Sequence, residues 1–215
     1  MSVVFSLAGA CGVQGPDSVL YFEQLGNFWP DERKGGAVGD KSRLRDWSRT
    51  RDHLQLVRAI RLLRVCPALH LGINISGSSV TDANLWCGAL AELVTERSLA
   101  RRLVLEIDEG ESIELGLGAV FVRRMQWLGC RVALDHYGRR YGAETGSAIL
   151  APDVVKIDGA LMQAAIGDAS ALERLHGLIK LAGEYAQHVV VLGVKTAADA
   201  RLALSVGATW AQADN

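Results

Sequence analysis

Leu103-Val104-Leu105-Glu106-Ile107, then Gly116 through Leu128, then Arg131-Val132-Ala133-Leu134 read in turn as strand, helix and strand. A short apolar run, a helical stretch ending before Gly129 and a second apolar run make a parallel strand pair with its crossover helix. The alternation continues outward in both directions. Upstream, Leu54, Val57, Ile60 and Leu63 have helical spacing, with Arg58, Arg61 and Arg64 on another face, and Pro67 ends that helix. Leu69–Ile75 is a strand, and Asp82 caps an amphipathic helix carrying Leu85, Trp86, Leu90 and Leu93. Downstream come a glycine-rich turn, a short helix over Ala143–Leu150 and a strand over Val154–Ile157. A helix over Ser170–Ala186, a strand over His188–Leu192, a helix over Ala197–Val206 and a strand at Trp210–Gln212 complete the series.

The beginning of the chain departs from this rhythm. Val3–Ala8 and Val19–Leu25 read as strands joined by the turn-rich residues from Gly12 to Ser18, which predicts an antiparallel hairpin. Phe28 to Thr50 is rich in Gly, Asp, Arg and Lys and reads as a loop. Eight strands separated by helices predict an α/β protein, a TIM-like (β/α)8 barrel with an irregular antiparallel first hairpin. A doubly wound open sheet is the rival. No Gly-x-Gly-x-x-Gly follows a strand, which weakens a dinucleotide-binding reading.

With 215 residues, 49% of them hydrophobic, the chain can bury a large core, and a single barrel domain over residues 1–215 is expected. A net charge of -1 argues against a nucleic-acid polymer as partner. Basic residues gather between Arg33 and Arg64, but Asp31, Glu32, Asp40, Asp46 and Asp52 are interspersed, so a solvated mixed-charge surface is expected there. Cysteines 11, 66, 87 and 130 form no CxxC pair and no zinc-like spacing with histidine, and read as reduced, mostly buried thiols of a cytoplasmic protein. Val3 to Cys11 is apolar and ends Ala-Gly-Ala-Cys, but it lacks a basic leader and reads as a first strand. No uncharged apolar run approaches the roughly 20 residues that span a bilayer.

Polar residues at the C-terminal ends of barrel strands converge on one mouth. Glu23, Asn74, Glu106, Asp135, Lys156 and Gln212 each fall at or near a strand end. Singly each has a structural explanation: Asn74 as a cap, Asp135 as a turn residue, Lys156 as a partner for Asp153 or Asp158. Six from successive strands, all carboxylate, amide or amine, point to a shared site. Mixed oxygen donors suit hard cations such as magnesium or manganese.

Six stretches carry a family resemblance: Phe22-Glu23-Gln24-Leu25, Asn74-Ile75-Ser76, Leu105-Glu106-Ile107-Asp108-Glu109, Leu134-Asp135-His136-Tyr137-Gly138, Val155-Lys156-Ile157-Asp158 and Leu192-Gly193-Val194-Lys195-Thr196. In order and spacing they resemble the EAL family of bacterial cyclic di-GMP phosphodiesterases. The resemblance implies that Glu23, Asn74, Glu106 and Asp135 hold one catalytic metal and that Lys156 lies near the attacking water. It implies that Glu109 anchors a loop and that Gln212 helps to bind ligand.

Several family positions are altered. His136 and Leu192 stand where the family has carboxylates for its second metal, and Lys195 where it has a guanine-contacting Glu. Asn27 replaces a phosphate-contacting Arg, Ser6 a ligand-facing Gln, and Gly138-Arg139-Arg140-Tyr141-Gly142 a Gly-Thr-Gly-Tyr turn. Arg139 and Arg140 bring new guanidinium groups to the mouth as candidate ligand contacts. Two-metal phosphodiester cleavage needs both cations, so efficient hydrolysis is not expected. The expected function is a degenerate EAL-type regulatory or protein-interaction module, either a weak cyclic di-GMP receptor with magnesium or manganese at a single residual site or a ligand-independent scaffold that requires no cofactor. The alternative is an active cyclic di-GMP phosphodiesterase; an unrelated barrel enzyme acting on another phosphate ester stands third. The resemblance implies a final helix after the last strand that the sequence to Asn215 does not include, so exposed apolar surface near Trp210 is expected, covered by a protein partner or a homodimer.

Overall fold

The structure, a computed structural model, describes residues 6–12, 19–25, 41–109, 113, 116–139 and 149–213. Strand β1 (Ser6–Gly12) runs antiparallel to β2 (Val19–Leu25), with a register shift between Ala10 and Cys11. Then follow α1 (Lys41–Val65), β3 (Leu71–Ile75), α2 (Gly77–Val80), α3 (Ala83–Thr95), α4 (Arg97–Ala100) and β4 (Leu103–Asp108). The second half contains α5 (Leu117–Leu128), β5 (Arg131–Tyr137), β6 (Val154–Ile157), α6 (Gly159–Ala164), α7 (Ala169–Tyr185), β7 (His188–Leu192), α8 (Ala197–Ser205) and β8 (Trp210–Gln212). The eight strands close into a barrel in chain order. Strands β2 to β8 run parallel to one another, while β1 is antiparallel to both β2 and β8. The expected barrel and its reversed first hairpin are thereby established, and the open sheet is excluded.

The period of two along each strand divides the apolar residues into two cores. Outward-facing Ile73, Leu105, Val132, Leu134, Val155 and Val191 pack beneath helices that contribute Leu56, Ile60, Phe121, Met125, Leu175 and Ile179. Inward-facing Tyr21, Val104, Ala133, Val154 and Val190 fill the barrel with Ala10. Each fully buried aliphatic side chain contributes about 1.5–3 kcal/mol. Leu105→Ala in the outer layer would cost roughly 2–5 kcal/mol.

Local signals set the helix ends. Gly129 closes α5 at φ 102°, where its N–H donates to the carbonyls of Met125 and Gln126. Thr196 and Asp199 cap α8 reciprocally, each side chain accepting from the other's backbone N–H.

Some expectations are corrected. Residues 41–50, read as loop, form the first turns of α1. That segment is charged, and Lys, Arg and Leu favour helix intrinsically, whereas the apolar face starts only at Leu56, Ala59 and Ile60. Helices α2, α4 and α6 are too short to show a period and were not anticipated. Of the short helix expected over 143–150, only Ile149 and Leu150 are described, and they are not helical. Cys66 is exposed rather than buried. Trp210, expected beside exposed apolar surface, is half-buried against the inner core, with His188 edge-on at 5.9 Å. Among the described residues no helix is long and apolar enough to cross a membrane.

Candidate functional site

The mouth lies one inward step above the apolar filling of the barrel. Two residues beyond Tyr21, Gly72, Val104, Ala133, Val154, Val190 and Trp210 come Glu23, Asn74, Glu106, Asp135, Lys156, Leu192 and Gln212. Because side chains at i and i+2 share a face, β2 to β8 each project one of these residues toward the axis. All are polar except Leu192.

Glu23 is the hub. Its Oε1 accepts from Asn74 Nδ2 at 2.8 Å, and its Oε2 accepts from Lys156 Nζ at 2.9 Å and Gln212 Nε2 at 2.8 Å. Lys156 Nζ also donates to Glu106 Oε2 at 2.9 Å and lies 3.4 Å from Asp135 Oδ1. Lys156 is 1% exposed and Glu106 0%, so these charges interact with little screening. Lys156 pairs across the barrel with three acids rather than with Asp153 or Asp158, the structural alternative weighed for it.

This geometry divides the carboxylates. Burial pushes Glu106 up to about 8; Lys156 opposes the shift, and Glu23 and Asp135 add to it. Burial likewise raises Asp135, against Lys156 and His136. Burial also works against a charge on Glu23, but Lys156, Gln212 and Asn74 outweigh it and hold Glu23 below its ordinary range. For Lys156, burial opposes the charge, yet the surrounding acids raise it well above the usual lysine value. At neutral pH the mouth holds an ionised Glu23 against an ammonium, and Glu106, pushed up to about 8, favours its protonated form.

Comparison with known proteins places the chain. It matches the EAL domain over residues 43–213. The chain belongs to the EAL domain family. Cyclic di-GMP phosphodiesterase TpdA of Vibrio parahaemolyticus is 28% identical over 146 residues, which cover 68% of this chain and 24% of TpdA. The chain thus spans about a quarter of that relative's length (24%). An EAL domain protein of Listeria monocytogenes superposes with a TM-score of 0.80 at 17% identity, over 98% of this chain and 85% of that one. A manganese and cyclic di-GMP complex of Klebsiella pneumoniae BlrP1 gives 0.74 at 18% identity, over 97% of this chain and 54% of that one.

Within this EAL barrel, Glu23, Glu106 and Asp135 each offer an oxygen within 4.8 Å of the others, and all three are buried. Glu106 Oε1 and Gln212 Oε1 are buried and accept no hydrogen bond of good geometry, although the Tyr21 hydroxyl interacts with Glu106. Hard oxygen donors with an unsatisfied buried carboxylate oxygen fit one divalent cation such as magnesium, manganese or calcium. The Lys156 ammonium already sits among the same oxygens, so an entering cation must share them with it or displace it.

The residues that the sequence resemblance marked as altered differ in kind. Leu192 is 3% exposed and belongs to the inner apolar cluster, beside Gln212 in the sheet register. His136 holds φ at 55°, a left-handed conformation that costs an L-residue roughly 1–2 kcal/mol. Its Nδ1 lies 3.0 Å from Asp158 Oδ2 and its Nε2 3.6 Å from Asp135 Oδ2. Burial works against a charge on this ring, but Asp135, Asp108 and Asp158 outweigh it and raise the imidazole above its ordinary value. Of these two side chains, one is buried hydrocarbon and the other a ring engaged by Asp158.

Glu109 is fully buried; its N–H donates to Asp135 O at 2.9 Å and its Oε1 accepts from Gly138 N at 3.1 Å. It thus ties the end of β4 to the turn after β5. Arg139 and Lys195 are exposed at the rim, while Asn27 and Arg140 lie outside the described residues. Sequence reasoning quoted Asp158 as the end of a motif and as a possible partner of Lys156, not as a partner of His136. Its Oδ1 caps α6 by accepting from Ala160 N at 2.8 Å, which leaves Oδ2 for His136. The spacing of Asp158 two residues after Lys156 was the available signal.

Proposed function

We propose that this EAL domain is a degenerate cyclic di-GMP signalling module, a receptor or interaction domain that has kept one cation position and given up the second. The observation that carries this reading is the pair Leu192 and His136. Hydrocarbon fills the β7 place in the mouth, and the His136 ring is held by Asp158. The kept position rests on Glu23, Glu106 and Asp135, with Asn74 and Lys156 beside them. The names of its relatives, a cyclic di-GMP phosphodiesterase and a manganese complex with cyclic di-GMP, support the ligand class and the kind of ion.

A bound divalent cation would supply electrostatic attraction for a phosphate oxygen. Around it Glu23 remains ionised, Gln212 and Asn74 orient that carboxylate, and Lys156 presents a permanent positive charge to an anionic ligand. Arg139 at the rim adds a further guanidinium. Output on this reading passes to a protein partner or a second copy of the chain in the bacterial cytoplasm.

Active hydrolysis is the second reading, favoured by the intact grouping of Glu23, Glu106, Asp135 and Lys156. Titration calorimetry with cyclic di-GMP, with and without manganese, tests both when the same samples are assayed for product. Binding without turnover is the expected result. Turnover abolished by Glu23→Ala overturns it, and absence of binding reduces the module to a ligand-independent scaffold.

A further inference from the structure

The turn that follows Asn74 is held by a single carboxylate of α1. Asp52 is 0% exposed, although it lies in a stretch whose charges were expected to be solvated. Its Oδ2 accepts from Ser76 N, Ser76 Oγ and Ser79 Oγ, each at 2.7 Å. Its Oδ1 accepts from Arg51 Nε at 3.1 Å. Ser76 is the N-cap of α2, but its own side chain makes no capping bond. The carboxylate from α1 instead receives the N-cap residue's own N–H and the Ser76 and Ser79 hydroxyls from outside the helix. Trp86 Nε1 fixes the far end of the same turn, donating to Ser79 O at 2.7 Å.

Three short donors on one buried carboxylate oxygen form a stiff, charge-assisted clamp. Only Ile75 separates Ser76 from Asn74, and Ile75 is locked in the outer core at 2% exposure. A rotation at Ser76 therefore has little slack to absorb it before it reaches Asn74, whose amide meets Glu23 Oε1 at 2.8 Å. We propose that Asp52 is a positioning residue for the mouth: through Ser76 and Ser79 it fixes the turn leaving β3 and so aims the Asn74 amide at Glu23. Asp52 touches nothing in the mouth itself. Any effect on cation affinity rests on the function proposed above; the aim of Asn74 does not.

The test compares the whole chain with Asp52→Asn and Ser79→Ala, each labelled with nitrogen-15. Two side-chain amides, Asn74 Nδ2 and Gln212 Nε2, donate to Glu23 from opposite sides, but only Asn74 follows the turn. In Asp52→Asn the Asn74 amide pair is expected to shift, broaden and exchange faster with solvent, while the Gln212 pair stays in place. Ser79→Ala removes one of the donors and moves the Asn74 pair in the same direction by less. An unmoved Asn74 pair in a folded variant overturns the proposal, and so do Asn74 and Gln212 pairs that change together. If Asp52→Asn fails to fold, Ser79→Ala decides alone. A manganese titration then separates the two levels. Affinity falling by roughly tenfold or more in Asp52→Asn extends the effect to the cation. A parent chain that binds no manganese overturns the function proposed above, and the amide comparison still decides the role of Asp52.

Discussion

Lys156 and Glu106 meet at 2.9 Å in the centre of the barrel mouth, both essentially inaccessible to water. The ammonium is shared with Glu23 and Asp135, so removing it leaves several buried acids without their cation. Lys156→Met is expected to cost roughly 3–5 kcal/mol, the range for breaking a buried ion pair from one side. Millimolar manganese should restore part of that loss, because it binds the folded state alone. Urea unfolding with and without manganese measures both effects. A loss under about 1 kcal/mol, typical of surface pairs, would contradict the pairing.

The pH dependence has a definite sign. Glu106 is pushed from an ordinary 4.5 to about 8 in the folded chain, so between those values the folded state keeps a proton that the unfolded chain has released. Stability therefore falls as pH rises from 4.5 to about 8 and levels off above. The slope from this group is at most on the order of 1 kcal/mol per pH unit. Glu106→Gln should flatten the profile of urea midpoints over that window. An identical profile in the variant would rule out Glu106 as its source.

Gly72 gives a steric test. A Cβ there would lie 2.6 Å from Glu106 Oε1 and 2.7 Å from the Tyr21 ring. Gly72→Ala is expected to lose about 1–3 kcal/mol through overpacking. Displacing Glu106 should also weaken manganese binding. Thermal unfolding together with a manganese titration would show both, and an unaltered titration would mean that Glu106 is not a ligand.

Restoring carboxylates addresses the second cation directly. His136→Asp combined with Leu192→Glu should raise manganese stoichiometry from one to two ions per chain, with cyclic di-GMP turnover above that of the parent. Native mass spectrometry and product analysis provide the readout. A double variant that folds but still binds one ion would show that more than these two positions separates this mouth from a two-cation site.

Much of the fold was legible because its signals are local. The strands at Val19–Leu25, Val154–Ile157, His188–Leu192 and Trp210–Gln212 match the structure residue for residue, since short apolar runs between breakers leave little freedom. The start of α1 was missed because its first turns carry charge and no apolar stripe. At the mouth, the residue types were readable from strand ends, but their partners were not. Lys156 lies two residues from Asp158 and three from Asp153, yet it bonds to Glu23, 133 positions away, because only barrel closure brings β2 and β6 within reach. Asp52 was hidden for a similar reason: a carboxylate among arginines looks solvated until the turn after β3 folds onto it.

The separation of the two cores has an evolutionary corollary. Helices grip the barrel from outside through residues such as Leu105, Val132 and Val155, none of which points toward the mouth. The side chains that do point inward can be exchanged one at a time while that outer grip stays intact. A lineage can therefore trade a ligand for a hydrocarbon, the exchange proposed for Leu192, and still inherit a well-formed barrel. In such an architecture, ancestry is recorded by the wall and occupation by the rim.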